Sequence, residues 1–146
     1  GSAAQSKFQA YPGDADFFER VNIRADSRAA ACDVLANLIR DKALATLNDH
    51  PLVGEAKLVG LMGSIALTPN KARRAPFASK PGTVGLRTRE RCFANDLIMR
   101  HVGDRMIIAP PLVITPDEID VLIERAKKSL DESYASLKAD GMFVAG

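Results

Sequence analysis

A long amphipathic helix near the end of the chain places the strongest constraint on what this sequence can fold into. Thr115 is a suitable N-cap, Pro116 occupies the first helical position, and Glu118 completes a capping box. The apolar stripe of the helix predicted over residues 116–138 consists of Ile119, Leu122, Ile123, Ala126, Leu130, Tyr134 and Leu137. Gly141 is a typical stop signal. Because such a stripe must be buried, the rest of the chain has to supply an extended apolar surface.

Three further segments have sequence patterns that predict their structure. Residues 27–47 predict a helix that begins at the N-cap Ser27 and ends before Pro51. Its apolar stripe is expected to comprise Ala31, Val34, Leu35, Leu38, Ala45 and Leu47. Residues 68–82 contain three prolines and four basic side chains, which predicts a solvated loop. Residues 83–95 predict a shorter helix.

The segment 56–67 is apolar on both alternating faces, which predicts one central strand that is covered on both sides. Gly60 and Gly63 interrupt this strand and indicate a bulge or the close approach of another backbone. The two glycines do not form a GxGxxG or Walker pattern, so a structural role is favoured over a phosphate loop.

A β-hairpin is predicted over residues 97–109. Its arms are 97–102 and 105–109, and Gly103-Asp104 fits a two-residue turn. This register places Arg100 opposite Ile107, on the same face as Ile98 and Val102. Pro110-Pro111 prevents the second arm from continuing as a ladder strand.

These elements predict an α+β fold, in which a small antiparallel or mixed sheet has helices packed on one face. The 146 residues fit one domain over residues 26–146, preceded by a poorly assigned segment, 1–25, whose Gly1-Ser2 resembles a tag scar. A net charge of +2 and 5% aromatic residues without Trp argue against nucleic-acid binding. The apolar runs are too short for a membrane span.

The sequence contains few residue patterns that indicate a metal site or a catalytic site. His50 and His101 have no Cys or acidic cluster at ligand spacing, so no metal site is expected. Cys32 and Cys92 show no metal or nucleophile motif and are interpreted as reduced thiols of a cytoplasmic protein. No signal peptide is visible in the sequence. No GxSxG elbow is present, and no catalytic residue is predicted.

Arg100 leaves two interpretations open. A guanidinium on an otherwise apolar hairpin face can recognise a carboxylate with two parallel hydrogen bonds. An exposed edge strand also tolerates Arg, whose stem lies along apolar surface while its head stays in water. On the residues alone the second interpretation is favoured. His101 alternates to the opposite face and is expected to be structural or exposed.

Two blocks of sequence resemble the C-terminal small domain of class III (ω-type) pyridoxal-phosphate-dependent aminotransferases, which are fold-type I enzymes. The first block runs from His50-Pro51-Leu52-Val53-Gly54-Glu55 through Val59-Gly60-Leu61-Met62-Gly63-Ser64-Ile65. The second runs from Asp96 to Asp104 and continues through Met106-Ile107-Ile108-Ala109-Pro110-Pro111 to Thr115. The resemblance covers about residues 48–138. Within the family, these residues most resemble those of ω-amino acid or polyamine:pyruvate aminotransferases.

The resemblance implies a role for Arg100. In pyruvate-dependent members, the matching arginine reaches the substrate carboxylate and swings away for amines that lack one. The implied substrates of the parent enzyme are an amine or amino acid and a 2-oxo acid, and its implied cofactor is pyridoxal phosphate.

The resemblance also implies what this chain lacks. The Schiff-base lysine, the acidic partner of the pyridine nitrogen and the phosphate cup belong to a large domain that cannot be placed on this sequence. Lys57, Lys71 and Lys80 do not stand in the family's cofactor-lysine context. The isolated chain is therefore expected to be inactive, with no tightly bound cofactor.

Two alternatives remain open. The chain could be a non-catalytic binding or self-association module that forms a homo-oligomer, because the face that would contact a large domain exposes apolar area. The second alternative is a self-sufficient enzyme of another type, but no set of catalytic residues in the sequence supports it.

Overall fold

The computed structural model describes residues 27–111 and 113–143, with only the backbone of Leu44. Three helices are described: α1 (Arg28–Leu47), α2 (Thr83–Ala94) and α3 (Pro116–Ala139). Four strands are described: β1 (Val53–Val59), β2 (Met62–Leu67), β3 (Arg100–Val102) and β4 (Arg105–Ile108). The predicted segment 1–25 lies outside the described residues.

The four strands form one antiparallel sheet in the order β1-β2-β4-β3. The helices pack on one face of this sheet, where Ile65, Met106 and Ile108 are buried beneath them. The predicted α+β class is therefore confirmed, and the sheet is antiparallel rather than mixed. The opposite face of the sheet has no helix across it among the described elements.

The prediction of a single central strand over residues 56–67 is wrong. The chain reverses at Gly60-Leu61, so that β1 and β2 form a hairpin in which Val59 pairs with Met62. Gly60 permits this turn because its φ is +58°, a conformation that is costly for residues with a Cβ. The prediction of a close approach holds at Gly63, where an added Cβ would lie 2.9 Å from the backbone oxygen of Lys57.

The predicted hairpin over residues 97–109 is confirmed in its register, with Arg100 opposite Ile107. Its strands are shorter than predicted, since β3 begins at Arg100 and β4 ends at Ile108. Leu97 does not join the ladder because its N–H donates to the Cys92 carbonyl oxygen at 2.8 Å, which ties this residue to the end of α2.

The core is built from the two long helices and the covered face of the sheet. In α1 the fully buried positions are Ala31, Leu35, Ile39, Ala43 and Leu47. The predicted stripe of α1 is partly wrong, because Val34 is 41% exposed and Ala45 is exposed, while Ile39 and Ala43 are inside. In α3 the predicted Ile119, Ile123, Ala126, Leu130 and Leu137 are buried, and the capping box of Thr115 and Glu118 is present. Each fully buried Leu or Ile stabilises the fold by about 1.5–3 kcal/mol.

The first turn of α2 is capped by a residue from another element. Its N-cap is Gly82, which has no side chain to accept a hydrogen bond. Asp104, in the β3–β4 turn, instead accepts from the N–H groups of Val84 at 3.1 Å and Gly85 at 2.9 Å. The backbone oxygen of Asp104 also accepts from Leu67 at 2.9 Å. One residue thus joins α2, the hairpin turn and the end of β2.

Replacing this carboxylate should weaken the whole fold. We expect Asp104→Ala to lower the free energy of unfolding by about 2 kcal/mol, because two helix N–H groups lose a charged acceptor. Chemical denaturation monitored by circular dichroism measures this loss. Asp104→Asn keeps an oxygen acceptor and should lose clearly less, and equal losses for the two variants would contradict the capping role.

His50 connects the end of α1 to α3. Its Nδ1 accepts from the Leu52 N–H at 3.1 Å, which leaves the ring proton on Nε2, 3.2 Å from Oδ1 of Asp131. The edge of the Tyr134 ring also contacts it. Burial lowers the pKa of His50 below 6.5, and Lys127 and Lys71 add to this effect, whereas Asp131 opposes it.

The lowered pKa predicts an acid-sensitive fold. Since the unfolded chain binds the His50 proton more readily, stability is fully present above about pH 6.5 and is lost as the pH falls toward the folded-state pKa. Denaturation midpoints measured between pH 7 and pH 5 should therefore decrease. His50→Asn places a non-titrating acceptor near the Leu52 N–H and should flatten this slope, and an unchanged slope would assign the effect to other groups.

Candidate functional site

The face of the sheet opposite the helices, here called the open face, carries the predicted site residue. Register places Lys57, Ser64, Ile107 and Arg100 in one row across the four strands. The row beside it consists of Glu55, Ala66, Arg105 and Val102. Val59 and Met62 lie at the end of the face nearest the Gly60 turn, and the exposed Ile98 precedes β3.

Several of the most exposed side chains on the open face are apolar. Ile98 is 88% exposed, Val59 84%, Met62 64% and Val102 57%. Exposed apolar residues that stand alone are common on proteins, but Val59 and Met62 pair directly at one end of this face, and grouped apolar side chains on an uncovered sheet face indicate a surface that binds something.

Arg100 is exposed at the start of the edge strand β3, on the same face as Val102 and two residues after the exposed Ile98. The structure thus confirms the predicted placement of Arg100 on an apolar hairpin face. Among the described residues, its guanidinium has no carboxylate within ion-pair distance. This arginine is free to meet an incoming carboxylate without first breaking an ion pair.

Besides Arg100, the open face carries a cluster of basic side chains that surrounds Glu55. Its carboxylate lies 2.9 Å from Nζ of Lys57 and 3.6 Å from Nη1 of Arg74. The guanidinium of Arg105 lies 3.4 Å from Oγ of Ser64 on the neighbouring strand. The hydrogen bond from Lys57 is the main reason why the pKa of Glu55 is lowered, and the charges of Lys57, Arg74 and Arg105 act in the same direction.

A pocket of about 340 Å³ lies beside this cluster, between the sheet and the loop that follows β2. Its charged lining residues are Glu55, Arg74, Asp104 and Arg105. Arg100 does not line it. No local sequence pattern indicates this cluster, because Arg74 comes from the loop and reaches Glu55 only through tertiary structure.

The lysines of the described chain do not form an enclosed site. Lys57, Lys71, Lys80, Lys127, Lys128 and Lys138 are exposed, and Lys42 is half-buried. Lys42 contacts Asp120, Lys71 contacts the Asn48 carbonyl oxygen and Lys127 lies 2.8 Å from Asp131. A lysine that forms a Schiff base is normally activated by desolvation or by a cationic neighbour, and none of these solvent-exposed or ion-paired lysines has an enclosed setting.

The remaining candidates are structural. His101 faces the helices as predicted, with Nδ1 3.1 Å from the Gly103 carbonyl oxygen. Cys32 and Cys92 are free thiols, and burial raises the pKa of Cys92. Within residues 27–111 and 113–143, no three His, Cys, Asp or Glu side chains are grouped as metal ligands. None of the described helices combines the length and hydropathy of a membrane span.

Comparison with solved structures identifies the class. The fold is similar to a thermostable four-fold mutant of an omega transaminase from Pseudomonas jessenii, with a TM-score of 0.64 and 31% identity over 73% of this chain and 22% of that one. It is also similar to the omega transaminase from Pseudomonas jessenii in complex with PMP, with a TM-score of 0.67 and 30% identity over 76% of this chain and 23% of that one. The chain is therefore homologous, over part of its length, to the C-terminal part of class III aminotransferases.

Among curated proteins, the chain is similar to the putrescine–pyruvate aminotransferase of Pseudomonas aeruginosa. It is 54% identical over 93 residues, which are 64% of this chain and 20% of the relative. The chain thus spans about a fifth of the length of the curated relatives it matches. No family model matches the chain.

Proposed function

We propose that this chain is the substrate-covering C-terminal part of a pyridoxal-phosphate-dependent aminotransferase. The reaction moves an amino group from an amine or ω-amino acid to pyruvate or another 2-oxo acid. Arg100 binds the substrate carboxylate, and the remainder of the enzyme lies against the open face. We place this enzyme in the cytoplasm, a reducing setting that suits the two free thiols.

The observation that carries the proposal is the exposed Arg100 on an apolar hairpin face, where no carboxylate of the described residues pairs with its guanidinium. A guanidinium pairs with a carboxylate through two parallel hydrogen bonds, and this pairing strengthens when water is excluded. Ile98 and Val102 flank Arg100 and would exclude water once another domain covers the face. Binding energy of this kind positions the substrate for reaction.

The cofactor chemistry is assigned to the missing part of the enzyme. Pyridoxal phosphate supplies the electron sink for amino transfer when it is bound. The described lysines do not fit the role of its Schiff-base partner, because they are exposed or half-exposed and several already have hydrogen-bond partners. We therefore expect the isolated chain to have no aminotransferase activity.

A chimera tests the proposal. The matched 93 residues of the putrescine–pyruvate aminotransferase are replaced by the corresponding stretch of this chain, which is 54% identical. We expect amino transfer from putrescine to pyruvate at a rate within about tenfold of the parent, since similar cores tolerate exchange when volume and patterning are kept. A chimera that folds and assembles like the parent but has no activity would contradict the proposal.

A second candidate is a non-catalytic self-association module, which the exposure of Ile98, Val59 and Met62 favours. Sedimentation of the chain over a wide concentration range measures self-association. Substituting Ile98→Ser and Val59→Ser should abolish any oligomer that uses the open face, while an active chimera would still favour the aminotransferase role.

A further inference from the structure

The pocket of about 340 Å³ between the sheet and the loop after β2 has two arginines in its wall. Arg105 comes from β4 and Arg74 comes from the loop. A guanidinium presents five N–H donors in a planar fork that matches the shape of a carboxylate. Within the described part of the chain, the hydrogen-bond partner of the Arg105 guanidinium is Oγ of Ser64, at 3.4 Å. Most of its donors are therefore available to a ligand in the pocket.

The backbone of the loop fixes the position of Arg74. Its φ of +49° is a conformation that residues with a Cβ seldom adopt. A bridge between Asn70 and Ala75 closes the turn, and the buried hydroxyl of Thr68 donates to the Ala75 carbonyl oxygen at 2.7 Å. Nη1 of Arg74 also lies 3.6 Å from Oε1 of Glu55 on the sheet. This cation is thus positioned before a ligand binds, which lowers the cost of binding.

The charges around the pocket favour a ligand with a single negative charge. Lys57 and Arg74 share the carboxylate of Glu55. The carboxylate of Asp104 accepts hydrogen bonds from two N–H groups at the start of α2. The three cations Lys57, Arg74 and Arg105 therefore stand against two carboxylates, which leaves a net charge of +1. A monoanion balances this charge, whereas a dianion would be repelled by both carboxylates.

The remaining wall of the pocket is largely apolar. Pro76 and the buried Phe77 come from the loop, and Val102 comes from β3. This surface suits a small apolar group attached to the carboxylate, and the volume is at the lower end of the range for ligand sites. The pocket lies at the Glu55 end of β1, about 13 Å from Val59 at the other end of the strand.

We propose that this pocket binds a small organic monocarboxylate. The carboxylate lies between the guanidinium groups of Arg74 and Arg105, and the apolar part of the ligand contacts Phe77 and Val102. This inference does not rest on the proposed aminotransferase function, because that function places a carboxylate at Arg100, which does not line the pocket.

Titration of the full isotope-labelled chain with benzoate, followed by amide NMR spectra, tests the inference. We expect the signals of Gly54, Ala75 and Phe77, which line the pocket, to shift along one binding curve. The expected Kd is about 1–10 mM, as is usual for a ligand of this size. Benzamide has nearly the same shape without the charge and should bind about tenfold more weakly.

Four variants locate the bound carboxylate. Arg105→Gln keeps a polar side chain without the charge, and Arg74→Gly removes the other cation while glycine adopts the positive φ readily. Each should weaken benzoate binding about tenfold. Arg100→Ala and Arg73→Ala remove cations that do not line the pocket. Because solvent and salt screen such charges, each should change the Kd by less than about twofold.

The inference is overturned if Arg100→Ala abolishes the shifts and Arg105→Gln leaves them unchanged, because benzoate would then bind at Arg100. That result would leave the proposed function intact. Equal binding of benzamide and benzoate, or pocket signals that do not move at saturating benzoate, would also overturn it. An inactive chimera would instead contradict the proposed function and leave the pocket untouched.

Discussion

The variant Gly85→Ala is expected to lose about 3 kcal/mol of folding stability, the upper end of the range for overpacked sites. The same substitution in an open helix position stabilises a protein by about 0.5–1 kcal/mol. Here an added Cβ would lie 2.1 Å from the carbonyl oxygen of Gly103 and 3.0 Å from Nδ1 of His101. Gly85→Ala should therefore destabilise the fold, although helix propensity alone would make the substitution stabilising.

The turn cannot simply move away from the new methyl group. Asp104 holds it against α2 through the Val84 and Gly85 N–H groups, and against β2 through Leu67. The midpoint of urea denaturation measures the effect. Glu90→Ala, on the exposed side of the same helix, should change stability by less than about 0.5 kcal/mol. A Gly85→Ala chain as stable as the parent would show that the hairpin and α2 are not in close contact.

The second large effect is expected at Arg100 in the aminotransferase chimera. Removing a charge-assisted hydrogen-bond pair costs about 1.5–3 kcal/mol, which corresponds to a loss of about 10-fold to 150-fold. We expect Arg100→Ala to raise the KM for pyruvate by this factor. The KM for putrescine should change little, because that diamine has no carboxylate. Steady-state kinetics with each substrate varied in turn measure both values.

Arg105→Ala is the matched control, since Arg105 is on the same face but lies beside Ser64 and Glu55. It removes one positive charge from the open face and should raise the KM for pyruvate much less than Arg100→Ala does. Equal effects would reduce the role of Arg100 to general attraction of anions. An unchanged KM for pyruvate in Arg100→Ala would remove Arg100 from the substrate site.

Local sequence patterns predicted the elements whose ends are determined by residues that are neighbours in the sequence. Thr115, Pro116 and Glu118 fixed the start of α3, and Gly103-Asp104 fixed the register of the second hairpin. Arg100 was placed on the correct face because that register is set by a two-residue turn. Its role comes from a resemblance to aminotransferases and not from periodicity.

Signals that depend on tertiary structure were missed. The Gly60-Leu61 turn has no polar residue, and Leu61 is buried, so the segment 56–67 has the pattern of one continuous apolar strand. Asp104 caps a helix that begins about twenty residues earlier in the chain, and no local pattern predicts such a cap. Glu55 and Arg74 likewise meet only after the loop folds against the sheet.

Titration of the isolated chain with pyridoxal phosphate, with borohydride trapping and mass mapping of any adduct, tests the central claim most directly. That claim is that this chain binds the substrate carboxylate while the rest of the enzyme holds the cofactor. We expect weak adducts scattered over exposed lysines such as Lys57, Lys71 and Lys80, and no amino transfer from an amine to pyruvate. Tight one-to-one labelling of a single lysine, with a cofactor absorbance that an amine bleaches and pyruvate restores, would contradict the account.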